Sequence, residues 1–261
     1  MIAATLLALA LVPALAWLFG LLVSGEAVAL ARPAQGVRSI DGVAAAIGLA
    51  ASVIFVAFLP WPVIAPPHGT PALVTVLLAL ESASLLPLIA GLRAGQLAAR
   101  AAIREAQIGT AGRCVLWLVY GALSQIDSVA PIQVPGVVAL LAGGLLALPA
   151  ACAIGPFGPE RALVADGPET NMTPPAASLH RLARRVRRAL PPLLLCAALP
   201  LAALGPLALG IQLAVYTVMV AALARLLADR PRLTLPAALG WCWWRALPLA
   251  LAGMVYLLLP L

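Results

Sequence analysis

The chain has 261 residues, 64% of them hydrophobic and only 10% charged, against about 25% charged in an ordinary soluble domain, so a water-soluble fold is excluded. Its net charge of +7 comes from arginine with no lysine at all, and because these arginines sit between apolar runs rather than on one face of a polar domain, they report membrane topology and not nucleic-acid binding. A membrane span needs roughly 20 apolar residues to cross a hydrocarbon layer about 30 Å thick at about 1.5 Å per residue, and the chain has room for eight such spans.

The first apolar run, 2–24, lacks a basic start and an Ala-x-Ala cleavage site, which predicts a retained helix rather than a cleaved leader. Further runs follow near 43–65, 70–92, 103–125 and 132–154. The stretch from Pro191 to Ala228 is too long for one crossing, and Gly205-Pro206 divides it into spans at 189–205 and 207–228 before a last span at 236–259. The arginines test this division independently. Loop one holds Arg32 and Arg38, loop three Arg93, Arg100 and Arg104, loop five Arg161 and the run from Arg181 to Arg188, and loop seven Arg225, Arg230 and Arg232, while the even-numbered loops and both termini hold none. Cytoplasmic loops retain arginine. The expected fold is therefore an all-α integral membrane protein of about eight transmembrane helices with both termini on the non-cytoplasmic side. It forms a single polytopic domain over 1–261, in the inner (cytoplasmic) membrane, with one extended cytoplasmic loop over 155–190 that is acidic first and basic afterwards.

Few polar residues remain to carry a function. Glu81 falls near the middle of the third span, in Leu80-Glu81-Ser82-Ala83-Ser84. A charge at that depth costs about 3 kcal/mol on insertion scales, so it must face protein or water or be protonated; proton transfer and a neutral carboxyl bonded to Ser82 or Ser84 are the two readings. Arg104-Glu105 opens the fourth span with Arg113 two to three turns beyond, which is either a helix start, with Glu105 at the positive end of the dipole and Arg104 snorkelling, or part of a polar path. Loop five carries Glu160, Asp166 and Glu169 in a Gly- and Pro-rich setting, a solvated loop or a proton entry. It then carries His180 with Arg181, Arg184, Arg185, Arg187 and Arg188, a basic stretch suited to anionic lipid or an acidic partner. Trp241, Trp243 and Trp244 read as an interfacial aromatic belt.

Other chemistries lack residues. Cys114, Cys152, Cys196 and Cys242 lie singly in apolar segments without metal-ligand spacing, His68 and His180 are the only histidines, and no nucleophile–base pair or phosphate-binding Gly loop occurs. Without an internal repeat, the pattern of a stand-alone small-solute permease is weak.

Three segments in order resemble the membrane subunit that anchors the peripheral redox arm of respiratory complex I, and its relatives in energy-converting nickel-iron hydrogenases and formate hydrogenlyase. Gly91-Leu92 followed by Arg104-Glu105-Ala106 and Gly109 is similar to that family's Gly-Leu and Arg-Glu-Ala elements. Pro156-Phe157-Gly158 with Glu160, Leu163, Asp166, Gly167 and Glu169 resembles its acidic Pro-Phe-Asp loop. Arg232-Leu233 ahead of Gly240-Trp241 and Leu247-Pro248-Leu249 resembles its closing segment. The resemblance implies a non-catalytic subunit that binds no cofactor itself, docks iron–sulfur and hydrogenase-like soluble subunits, adjoins antiporter-like membrane subunits, and couples redox chemistry to proton or sodium movement. It places Glu105 in a buried polar axis and Glu160, Asp166 and Glu169 in the acidic loop facing the redox arm, while Glu81 has no counterpart. Taken with the residues themselves, the candidates for ion coupling are Glu81, Glu105, Arg113, Glu160, Asp166 and Glu169, and those for partner or lipid docking are Arg181, Arg184, Arg185, Arg187, Arg188 and Arg232. The chain departs from the family at Gly158, where Asp is usual, and at Glu169-Thr170-Asn171 in place of Glu-Tyr-Ser-Gly, which weighs against quinone binding and allows an anchor that has lost ion conduction.

Overall fold

A computed structural model describes residues 2–24, 39–61, 70–126, 129–158, 172–199, 201, 204 and 207–259. Among them every regular element is a helix. Six helices are long and apolar enough to cross a membrane, at Ile2–Val23, Ile40–Phe58, Ala72–Arg93, Pro131–Ala151, Leu207–Leu227 and Leu235–Leu258, which gives the chain the build of a multi-pass membrane protein. Exposed apolar side chains stud these helices from Ile2 to Leu258, as expected of surfaces that meet lipid rather than water.

The chain divides into two compact units. The first comprises Met1–Leu59, Pro67–Gln107 and Gly158–Leu190. In it α1 (Ile2–Ser24) lies against α2 (Ile40–Phe58), and α2 against α3 (Thr70–Leu85). Ser39 starts α2 by accepting the Gly42 N–H on its hydroxyl at 3.1 Å, satisfying one of the free donors at a helix N-terminus. Pro87 interrupts the third span, turning Leu86–Leu88 into a 3-10 turn before α4 (Ile89–Arg93), since its ring removes a donor and opens the preceding turn. Its ring is accommodated by Gly48 of α2, where a Cβ would stand 2.9 Å from Pro87 Cγ.

The second unit comprises Pro60–Pro66, Ile108–Phe157 and Pro191–Leu261. Here α6 (Val134–Ala151) packs on α10 (Leu247–Leu258), and a cluster of Ile108, Ala111, Ala150, Phe157, Ala238 and Cys242 fills the core beside them. α8 (Leu207–Leu227) reaches the 3-10 turn at Gly155–Phe157, where Gly155 has φ +56° and a Cβ would come within 2.6 Å of Leu227 Cβ. The last span is α9 (Leu235–Trp241), a π turn at Cys242–Ala246, and α10.

Two helices pass from one unit to the other along the chain: α5 (Gln96–Leu123) and α7 (Pro174–Ala197). α5 covers most of the span expected at 103–125, whereas α7 ends at Ala197, partway through the one expected at 189–205, and neither helix is apolar enough throughout to count among the six. The connection expected to run to residue 190 is helical from Pro174. Ala, Leu and Arg are strong helix formers and proline is tolerated in a first turn, so the basic run becomes the middle of a 24-residue helix.

Candidate functional site

α7 is buried along most of its length, including His180, Ala183, Val186, Arg187 and every residue from Ala189 to Cys196. His180 and Arg187 are seven residues apart and so share one helical face. Both engage the broken segment of the third span: His180 Nε2 donates to the Pro87 carbonyl at 2.8 Å, and Arg187 Nη1 to the Ser84 carbonyl at 3.3 Å. His180 is 2% exposed.

Glu105 of α5 completes the cluster. Its side chain is 9% exposed, and its Oε1 accepts from Arg187 Nη2 at 2.8 Å and from Arg188 Nη2 at 2.8 Å. Arg184 adds to the positive field at the carboxylate. Charge-assisted bonds of this length in a low-dielectric setting are strong, but desolvating three ions costs nearly as much as the contacts return. The cluster is therefore costly to break and not strongly stabilising to possess. It carries a surplus of positive charge, and buried Arg187 Nε, Arg188 Nε and Ser84 Oγ make no hydrogen bond.

The remaining candidates are dispersed. Glu81 is half-buried on α3. Arg113 is buried in the second unit, with Nη2 donating to Thr110 Oγ1 at 3.0 Å and its guanidinium folded over Gly109, where a Cβ would stand 2.9 Å from Nη1. Arg181 and Arg232 are exposed, and Arg184 and Arg185 half-exposed. Glu160, Asp166 and Glu169 lie outside the described residues. Sequence reasoning placed Glu105 with ion coupling and Arg187 and Arg188 with docking; the structure brings these three together, and it turns Arg187 inward, away from any lipid or partner surface. It also brings in His180 and the carbonyls of Ser84 and Pro87. Their one signal in sequence is Pro87 within an apolar run.

The tryptophans do not act alike. Trp241 is half-buried: Nε1 donates to the Leu146 carbonyl of α6 at 2.8 Å, and its ring meets Phe157 edge-on with centroids 6.1 Å apart. Like Ser84, Leu146 lies three residues before a proline inside a helix, here Pro149, and its carbonyl takes a side-chain N–H from another segment. Trp243 and Trp244 are exposed, at 45% and 82%. Arg245, exposed beside them, stacks over the Trp241 ring at 4.7 Å from its centroid. Arginine at a helix centre in lipid costs about 2.5–3.5 kcal/mol, of which an aromatic face returns about 0.5–2 kcal/mol. The π turn sits under this group. The stripe Ala238, Cys242, Ala246 and Ala250, all fully buried, repeats every four residues and overshoots a full α-helical turn by about 40° at each step; the wider π turn takes up part of that drift.

No family model matches the chain, and no curated protein is similar to it.

Proposed function

We propose that the chain is a non-catalytic membrane subunit of a complex I-like or energy-converting-hydrogenase-like assembly, docking a soluble redox arm and coupling it to proton or sodium translocation. The Glu105–Arg187–Arg188 cluster carries this reading. In the resemblance, Glu105 belongs to a buried polar axis and the acidic segment after Phe157 faces the redox arm. That segment leads along the chain directly into α7, whose arginines hold Glu105. A charge change at Glu160, Asp166 or Glu169 thus has a mechanical route to the carboxylate: a shift of α7 along or about its axis alters two charge-assisted bonds and, with them, the proton affinity of Glu105.

On this reading α5 and α7 complete eight spans, with Glu105 of α5 tolerated because it pairs with Arg187 and Arg188 of α7 rather than meeting lipid, and the alternation of arginine between loops puts both termini on the non-cytoplasmic side of the inner membrane. Iron–sulfur clusters belong to partner subunits, and this chain binds none. Exposed Arg181 and Arg232 remain for docking or for anionic lipid.

The test is a mild-detergent pull-down of the tagged chain with mass spectrometry, followed by ion-pumping measurements on the recovered complex. The proposal expects an iron–sulfur subunit, a hydrogenase-like large subunit and antiporter-like membrane proteins, and expects Glu105→Gln to assemble but to uncouple pumping. A chain that purifies alone and stable overturns the assembly, and undiminished pumping by Glu105→Gln overturns the coupling role.

A further inference from the structure

The last span carries one charged side chain, Arg245, ten residues from its start at Leu235, which is about 15 Å along the helix at about 1.5 Å per residue and so about half of the roughly 30 Å hydrocarbon layer. Among the described residues no carboxylate pairs with it. Its contact is the Trp241 ring, which leaves the guanidinium's hydrogen-bonding edge open. Arginine placed within a span normally faces protein or a water-filled cavity and pairs with an acid or a carbonyl; here it faces outward, away from Cys242 and Ala246, which are fully buried. Along the same outer side, Trp244, Leu251, Val255 and Leu258 are exposed at the seven-, four- and three-residue steps that mark one helical face. Lipid satisfies those four side chains. It does not satisfy Arg245.

We infer that this face, centred on Arg245 and Trp244, is an intramembrane docking surface for a transmembrane helix of a different protein that carries an Asp or Glu at matching depth. The apolar positions supply packing on either side, the exposed indole supplies a large rigid contact, and the carboxylate fixes the register, because two opposite charges in hydrocarbon tolerate little misalignment. The π turn contributes by keeping the alanine stripe against α6 while residues 243–245 all point outward. This inference rests on the chain being a subunit of an assembly, and it names the chemistry of one neighbour within it.

Photo-crosslinking in native membranes tests it, using the tagged full-length chain with Trp244→p-benzoylphenylalanine and mass spectrometry of the adduct. The expected adduct is to another membrane protein, at a peptide with Asp or Glu inside an apolar segment. Arg245→Leu lowers its yield at least tenfold, Arg245→Lys keeps most of it, and exchange of the two charges, Arg245→Glu with the partner's acid changed to arginine, restores it. Arg245→Gln, which removes only the charge, replaces the leucine variant if that variant fails to accumulate. An adduct to lipid alone, an adduct to a second copy of this chain, or a yield indifferent to Arg245→Leu overturns the inference. Its failure is separable from that of the redox assignment: loss of the iron–sulfur partner with the adduct intact refutes only the latter, and redox partners recovered with a lipid adduct refute only the former.

Discussion

Two helix contacts, one in each unit, are made by opposite means. In the first, α7 meets the third span and α5 through charge, with Arg187 and Arg188 on Glu105 and His180 and Arg187 on opened backbone. In the second, α6 and α10 meet through the absence of side chains. A Cβ on Gly143 would stand 2.7 Å from Ala250 N, and one on Gly253 would stand 2.6 Å from both Gly136 O and Leu140 N. In lipid, helices gain nothing by exchanging apolar neighbours, so close backbone approach and interhelical hydrogen bonds are the two means of association. The glycine contact is apolar and does not respond to charge. The ionic contact is held by bonds that a proton or a nearby charge can change, which is why the candidate site lies in the first unit.

The comparison breaks most sharply at Glu105. Glu105→Ala leaves buried Arg187 and half-buried Arg188 without their shared carboxylate and is expected to cost about 3–5 kcal/mol, read as a fall in thermal stability in detergent. The triple change Glu105→Ala, Arg187→Met, Arg188→Met restores most of that stability by substituting packing for ions; stability that stays low in the triple variant would falsify the charge account. Next in size, Gly143→Ala and Gly253→Ala each push backbone against backbone and are expected to cost about 1–3 kcal/mol, in the same melting assay and without dependence on pH between 5 and 8. Trp241→Phe keeps the ring beneath Arg245 and loses the bond to Leu146, an expected loss of about 0.5–1.5 kcal/mol. Smallest and of opposite sign is Gly210→Ala on α8, where an added Cβ meets nothing within 4 Å: a gain of about 0.5–1 kcal/mol from helix propensity. A loss there would mean that this face of α8 is occupied.

Six spans were legible in sequence because an unbroken apolar run of the right length has one physical meaning. Those at 2–24 and 207–228 match the helices to within a residue or two, as does the start at 236. The basic stretch before residue 190 was harder to read. Arginine is as good a helix former as leucine, so the charge that marked residues 181–188 as a surface gave no sign that they continue a helix. Which face of that helix turns inward depended on a distant acid. Glu105 and Arg187 were each visible, but nothing local pairs residues 82 apart. Pro87 and Pro149 were visible as well; that their breaks would attract Arg187 and Trp241 required knowing which helices adjoin. Arg245 is visible in the sequence as the one charge of the last span, whereas its exposure beside Trp244 became apparent only once the buried stripe of that span was set against α6.

The separation of Glu105 from its partners also sets an order of events during synthesis. At about 5–20 residues per second, the carboxylate leaves the ribosome roughly 4–16 s before Arg187, which follows it by 82 residues. During that interval Glu105 lacks the arginines that pair with it, and a carboxylate buried without a partner is costly, so it stays in contact with water, with a proton, or with the insertion machinery until α7 arrives. The ion cluster of the first unit is therefore closed by the last-made of its helices, and a chain ending before residue 187 exposes a carboxylate that the finished one pairs.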